Sequence, residues 1–214
     1  MRRRLRTRPS RRPAPGLALL GIGAASAAGF ALLARSVARR ETDSLDAAAR
    51  RRTPKARGPR VKKIAEVTGP LGKPWLLGPA TAALAAYTRP GSRSGATAIG
   101  LSSTASTALC KILDRTLPHR PAPPGKREDR DEPSFPSGHA LQSTAVALTT
   151  AYVLSREGRA NAWLAAPAAA LLPLISAGGR VALDRHWASD VAGGVLGGIA
   201  VASICAAAYE MLPD

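Results

Sequence analysis

Residues 179–190 read GRVALDRHWASD, and residues 135–139 read FPSGH. Each stretch places a histidine at the start of an apolar segment that is compatible with a helix. Residues four apart share a face of a helix, so we expect Asp190 to accept a hydrogen bond from one ring nitrogen of His186. The other nitrogen is then free to act as a nucleophile, and His139 is the natural acid for the leaving group. Together with the surrounding cations, these residues indicate phosphoryl chemistry.

Six runs of the sequence contain no charged residue: residues 16–34, 74–88, 94–110, 140–155, 160–177 and 191–209. A soluble helix is apolar along one stripe only, whereas these runs lack charge on every side for four turns or more. The run at residues 16–34 has 19 residues, which is sufficient to cross a hydrocarbon layer roughly 30 Å thick. We therefore predict an all-α integral membrane bundle of about six transmembrane helices. A soluble bundle with buried, alanine-rich helices is the alternative.

Small residues dominate all six runs, which favours close packing of helices in a bilayer. The last run contains four glycines that fit this prediction, at Gly193, Gly194, Gly197 and Gly198. Cys110 and Cys205 also lie in apolar runs, so we expect buried thiols rather than a disulfide framework. No cluster of Asp and His has the spacing of metal ligands, and we expect neither a metal nor a cofactor.

The N-terminal part of the chain is strongly basic and contributes much of the formal net charge of +17. Residues 1–15 carry seven arginines among prolines and serine, which predicts a disordered tail. Residues 16–34 are predicted as the first transmembrane helix, with a secretory signal peptide as the alternative. Residues 35–73 contain twelve Lys or Arg and several Pro and Gly, so we expect a basic loop with an interfacial helix as an option. Residues 74–209 then form the catalytic helical bundle.

The expected partner of these basic residues is an anionic lipid surface. Nucleic acid is not the expected partner, because only 4% of the residues are aromatic and few rings are available to stack on bases. Further basic residues lie in the polar loop from Lys111 to Ser137, which leads directly into the first histidine motif. A helix that starts just after Ser137 or Gly138 would point its unpaired backbone amides at this loop and form an anion site.

These motifs resemble the phosphatidic acid phosphatase type 2 and vanadium haloperoxidase superfamily, in its membrane lipid phosphatase branch. The family pattern has Lys six residues before Arg-Pro, then Pro-Ser-Gly-His, then Ser-Arg with five residues before His and three more before Asp. The second motif is complete at residues 136–139, and the third has the family spacing with Gly179 in place of Ser. The first motif is irregular, because eight residues separate Lys111 from Arg120. The resemblance covers about residues 64–209.

The resemblance implies roles for individual residues. His186 would attack phosphorus to form a phosphohistidine, oriented by Asp190, and His139 would protonate the leaving oxygen. Phosphate binding is expected from cations and from residues of the second motif, namely Lys111, Arg115, Arg120, Ser137, Gly138 and Arg180. Arg115 is included because it is an alternative to Lys111 in the irregular first motif.

The implied activity is hydrolysis of a phosphate or diphosphate monoester of a lipid. A polyprenyl diphosphate, a phosphatidate and a prenyl-linked sugar phosphate are all compatible substrates. A phosphotransferase that uses the same residues is one alternative, if water is excluded from the site. A non-catalytic membrane anchor whose basic tracts gather anionic lipids is another, although it leaves His186 and Asp190 unexplained.

Two arguments about orientation in the cell membrane disagree. If the N-terminus lies inside, the twelve Lys and Arg residues of segment 35–73 lie outside, against the positive-inside tendency. The resemblance favours this orientation nevertheless, since bacterial members usually face their catalytic loops outward. We predict a multi-pass protein with both termini inside and with His139 and His186 at the extracytoplasmic face.

Overall fold

The computed structural model of the chain describes residues 13–53, 63, 66–68, 72–124 and 133–212. Within these ranges the fold contains seven α-helices with described bounds, further helical residues at 63 and 66–68, and no strand, which confirms the all-α prediction. The helices are α1 (Pro13–Ala38), α2 (Asp43–Arg52), α3 (Pro74–Ala86), α4 (Arg93–Thr116), α5 (Gly138–Arg156), α6 (Ala162–Ala182) and α7 (Ala188–Met211). Residues 1–12 of the predicted basic tail lie outside the described residues.

Three of the described helices are long and apolar enough to cross a membrane: α1, α6 and α7. Helix α3 is shorter, with an apolar segment over Trp75–Ala86. Helices α4 and α5 contain the two remaining uncharged runs of the sequence. Helix α4 also continues through Lys111 to Thr116, where the sequence predicted a loop. The number of six transmembrane helices stays a prediction. The first helix is longer than the uncharged run at residues 16–34, and the basic region after it contains α2, a ten-residue helix.

Glycines allow α7 to pack closely on α5. A Cβ atom placed on Gly194 would lie 2.5 Å from the carbonyl oxygen of Ser137, and one placed on Gly198 would lie 2.7 Å from that of Leu141. No side chain fits at such distances from a neighbouring backbone, so only glycine permits this approach. Helix α1 packs along α7 in the antiparallel direction, with Gly16 next to Met211. Cys110 and Cys205 are buried and free.

The two histidine motifs meet at one end of the bundle. Arg180, near the end of α6, contacts His139, near the start of α5. The backbone N–H of Ser137 donates to the carbonyl oxygen of Asp190 at 2.9 Å, which joins the starts of α5 and α7. The opposite end is held by an ion pair between the last turns of α5 and α7, where Arg156 Nε lies 2.7 Å from a carboxylate oxygen of Glu210.

Candidate active site

His139 and Arg180 form the first pair of the site. His139 is the second residue of α5, and its Nε2 contacts Nη2 of Arg180 in the last turn of α6. A guanidinium only donates hydrogen bonds, so Nε2 of His139 is the acceptor and the imidazole is neutral in this arrangement. Arg180 is buried, with 6% of its surface exposed. A buried, permanently charged donor beside an imidazole is suited to bind an anionic group.

His186 lies just before α7, and its ring is oriented by the backbone. Its Nδ1 is 3.0 Å from the carbonyl oxygen of Ser134. A carbonyl oxygen only accepts, so Nδ1 carries the proton and Nε2 keeps a lone pair. An imidazole held in this tautomer can act as a nucleophile through Nε2.

The predicted hydrogen bond between His186 and Asp190 is not formed. Nδ1 of His186 lies 3.8 Å from Oδ2 of Asp190, which exceeds hydrogen-bond distance. Oδ2 instead accepts the backbone N–H of Trp187 at 2.7 Å, and Oδ1 accepts a hydrogen bond from Arg120, also at 2.7 Å. The prediction assumed that both residues lie in one helix, whereas α7 begins only at Ala188. Asp190 therefore serves the first turn of α7, and its negative charge remains close to His186.

Arg120 lies between two buried carboxylates. Its Nη1 donates to Asp190, and its Nη2 donates to Oδ2 of Asp46 at 2.6 Å. The same guanidinium lies over the ring of Trp187, 5.5 Å from the ring centre. Burial alone raises the pKa of Asp46, but hydrogen bonds from Arg120 and Ser189 outweigh burial and hold this pKa below its ordinary value. Arg120 is thus part of an ionic cluster in which its charge is already compensated.

The remaining predicted phosphate ligands fall into two groups. Helix α5 begins at Gly138 with Ser137 as its N-cap, so the amides of its first turn lie at the site, where an anion can bind. Lys111 and Arg115 are exposed on α4. Within the described part of the chain, no hydrogen bond or ion pair joins either of them to the two histidines. Their roles in phosphate binding stay predictions.

Two features of the site escaped the analysis of the sequence. The Ser134 carbonyl is a backbone group, and its contact with His186 has no sequence signal. Asp46 belongs to none of the three motifs. The sequence feature that could have drawn attention to Asp46 is the acidic first turn of α2, where Asp43 and Asp46 precede three arginines. That pattern is typical of a helix N-terminus, but it does not reveal a tertiary partner.

The described helices form a bundle in which histidines and arginines cluster at one end, and three of these helices are long and apolar enough to cross a membrane. Residues 94–213, more than half of the chain, match the family model of the PAP2 superfamily, and the chain belongs to this superfamily. The resemblance seen in the three motifs is thereby confirmed. Membership of this superfamily supports a phosphatase activity of the protein.

A solved structure with the same fold is that of a transmembrane PAP2-type phosphatidylglycerolphosphate phosphatase from Bacillus subtilis. The superposition has a TM-score of 0.76 and covers 86% of this chain and 93% of that chain. The two sequences are 20% identical, so the likeness shows the fold. No curated protein matched the sequence significantly.

Proposed function

We propose that the protein is a metal-independent lipid phosphatase of the membrane, which hydrolyses a phosphate or diphosphate monoester of a lipid through a phosphohistidine. The observation that carries the proposal is the orientation of His186, whose Nδ1 lies 3.0 Å from the Ser134 carbonyl oxygen and whose Nε2 therefore keeps a lone pair. A second imidazole and a buried arginine, His139 and Arg180, lie at the same end of the bundle. Membership of the PAP2 superfamily supports this reading.

In the proposed first step, Nε2 of His186 forms a bond to the terminal phosphorus while the bond from this phosphorus to its bridging oxygen breaks. The bridging oxygen leaves with the lipid alcohol or, from a diphosphate, with the lipid monophosphate. The bound phosphate takes over the guanidinium of Arg180, and its negative charge favours a protonated His139. His139 then gives its proton to the departing bridging oxygen. Arg180 and the amides at the start of α5 stabilise the charge on the equatorial oxygens.

In the proposed second step, water replaces the histidine on phosphorus. His139 accepts a proton from the attacking water, and the water oxygen bonds to phosphorus. The bond from phosphorus to Nε2 of His186 breaks, which releases inorganic phosphate and restores both imidazoles. No step in this sequence calls for a metal.

An apolar groove supports a lipid as the substrate. A groove of about 320 Å³ lies between α3, α5 and α6, with Leu77, Val146 and Leu154 among its lining residues. Its lining includes Ser143, whose hydroxyl donates to the carbonyl oxygen of His139 at 2.6 Å. The distance along α5 from Ser143 to Leu154 is about 16 Å at 1.5 Å per residue. A groove that starts one helical turn from His139 suits a hydrocarbon chain whose phosphate lies at the site.

The proposal is tested with purified protein in detergent and a panel of polyprenyl diphosphate, phosphatidate and prenyl-linked sugar phosphate. We expect release of inorganic phosphate from at least one lipid, undiminished by a chelator of divalent metals. Appearance of the phosphoryl group on an added alcohol, in place of free phosphate, would favour the phosphotransferase. A protein that neither releases nor transfers phosphate would favour the non-catalytic anchor.

Leaving-group dependence tests the role of His139. We expect the His139→Ala variant to cleave a lipid phosphate about 100-fold more slowly, since a general acid contributes about 100-fold or more. The same variant should lose much less of its rate on an aryl phosphate, because the leaving phenolate needs no proton. Values of kcat/KM, which report the first step and not the later attack of water, are compared for a series of esters that differ in leaving-group pKa. Equal losses across the series would contradict proton donation by His139.

We further propose that the site faces outward and that both termini lie inside. In a variant with Cys110→Ala and Cys205→Ala, a cysteine introduced as Ala122→Cys should react with an impermeant maleimide on intact cells. Ala122 lies in the loop that carries Arg120, at the site end of the bundle. The matched control is Ala162→Cys at the start of α6, at the opposite end, which should react only after lysis. The reverse pattern would contradict the proposed orientation.

Anionic membrane lipids remain the proposed partners of the basic N-terminal region. Arg51 and Arg52 in the last turn of α2 are exposed at the site end of the bundle. Exposed arginines at this position are suited to contact lipid phosphates.

A further inference from the structure

Helix α2 lies outside the part of the chain that matches the family model, yet it contributes a buried carboxylate to the site. Asp46 is only 2% exposed. Its Oδ1 accepts the backbone N–H of Ser189 at 2.9 Å, and its Oδ2 accepts the Ser189 hydroxyl at 2.6 Å. Ser189 is the second residue of α7, so its N–H has no acceptor within its own helix. Asp46 therefore caps α7 from another helix. The residue that it binds, Ser189, lies three residues after His186.

The same carboxylate also holds Arg120. The guanidinium bridges Asp46 and Asp190, and the exposed fractions of the three side chains are 11%, 2% and 0%. Loss of the Asp46 carboxylate would leave Arg120 paired with Asp190 but would take away the acceptor of its Nη2 donor, and an unsatisfied buried donor is costly. The position of Arg120, and with it that of Asp190, therefore depends on Asp46.

A second residue of α2 ties it to the loops around the site. Nε of Arg50 donates to Oδ1 of Asp184 at 2.7 Å, and Nη2 donates to the carbonyl oxygen of Pro124, also at 2.7 Å. Asp184 has a φ of +53° and lies two residues before His186. Non-glycine residues seldom adopt this backbone conformation, and here the Arg50 contact helps to hold it. Helix α2 thus fixes the loop before α5 and the loop before α7.

We propose that α2 is a positioning element of the active site and that Asp46 is its principal positioning residue. Asp46 acts through Ser189 and Arg120, which set the start of α7 and hence the place of His186. This inference rests on the proposed phosphatase function and assigns a role to a segment outside the family match. The carboxylate itself contacts no reacting atom.

The test compares Asp46→Asn with the wild-type protein in detergent. The amide would keep one oxygen acceptor but turn an NH₂ group toward Ser189 or Arg120, so that donors face donors. We expect kcat to fall between about 10-fold and about 100-fold, because a misplacement of about 1 Å costs up to about 100-fold. KM should change by less than about threefold, because the proposed lipid groove is built from α3, α5 and α6. Asp46→Glu restores the charge and should recover part of kcat.

Asp43→Asn is the matched control on the same helix. Its carboxylate is 57% exposed and lies 3.7 Å from Arg120, so its loss should leave kcat within about twofold. A merely structural role of Asp46 would lower the folded yield and leave kcat unchanged. The rate is therefore divided by the amount of monodisperse protein. An unchanged kcat in Asp46→Asn, or an equal loss in Asp43→Asn, would overturn the inference.

A double-mutant cycle on melting temperatures tests the role of Asp46 independently of the proposed function. If the wild-type protein cleaves no lipid, the phosphatase proposal fails. The melting temperatures still test whether Asp46 interacts with Arg120. We expect Asp46→Asn and Arg120→Gln to be non-additive, because each removes the same buried interaction. Additive losses in melting temperature would show that Asp46 does not act through Arg120.

Discussion

Phosphate release by the His186→Ala variant is expected to fall by about 10⁴-fold or more, the scale on which loss of a nucleophile acts in other enzymes. The reason is specific to the proposed mechanism, in which Nε2 of His186 forms the bond to phosphorus. Arg180 and the amides of α5 would remain and could still bind the anion, so KM or inhibition by phosphate should change far less than kcat. The measurement is initial-rate release of inorganic phosphate from the best lipid of the panel.

His119→Ala is the natural control for this experiment. The chain has three histidines, and His119 lies near Arg120 but is not assigned to the chemistry. Its loss should leave the rate within about threefold, as expected for a surface substitution. Rapid quenching with radiolabelled substrate adds a direct test, since the wild-type protein should carry an acid-labile phosphoryl group that His186→Ala lacks. Retained phosphate release in His186→Ala would rule out this nucleophile.

The membrane helices could be predicted because their signal is local. An uncharged run such as residues 191–209 is apolar on every side, and this property needs no knowledge of neighbours. The four glycines of this run also indicated a close helix contact, and the structure places α7 directly on α5. The histidine motifs could be recognised from spacing alone, and the family match confirmed the resemblance.

The contacts of the site depend on the fold and could not be predicted in the same way. The i to i+4 rule suggested that His186 pairs with Asp190, but the rule applies within a helix and α7 begins after His186. The partner of Nδ1 is a backbone carbonyl 52 residues earlier in the chain, which any residue type could provide. Asp46 meets Ser189 across 143 residues, and a single sequence carries no record of such a pairing.

The Gly194→Ala variant is expected to lose both stability and activity. Its new methyl group would lie 2.5 Å from the carbonyl oxygen of Ser137 and 2.8 Å from Cβ of Ala140. The first of these atoms belongs to the backbone, so the clash cannot be relieved by a change of rotamer, and α5 and α7 must separate. Overpacking of this kind costs about 1–3 kcal/mol, occasionally more.

Activity should fall further than stability alone implies, because Gly194 adjoins the link between the two histidine motifs. Separation of the helices would break the hydrogen bond from Ser137 N–H to the Asp190 carbonyl and move His139 away from His186. Gly100→Ala on α4 is the control, since nothing lies within 4 Å of its added Cβ. That variant should match the wild type or exceed it in melting temperature, because alanine favours a helix by up to about 1 kcal/mol over glycine. Wild-type melting temperature and kcat in Gly194→Ala would mean that α5 and α7 are farther apart than the glycine contacts indicate.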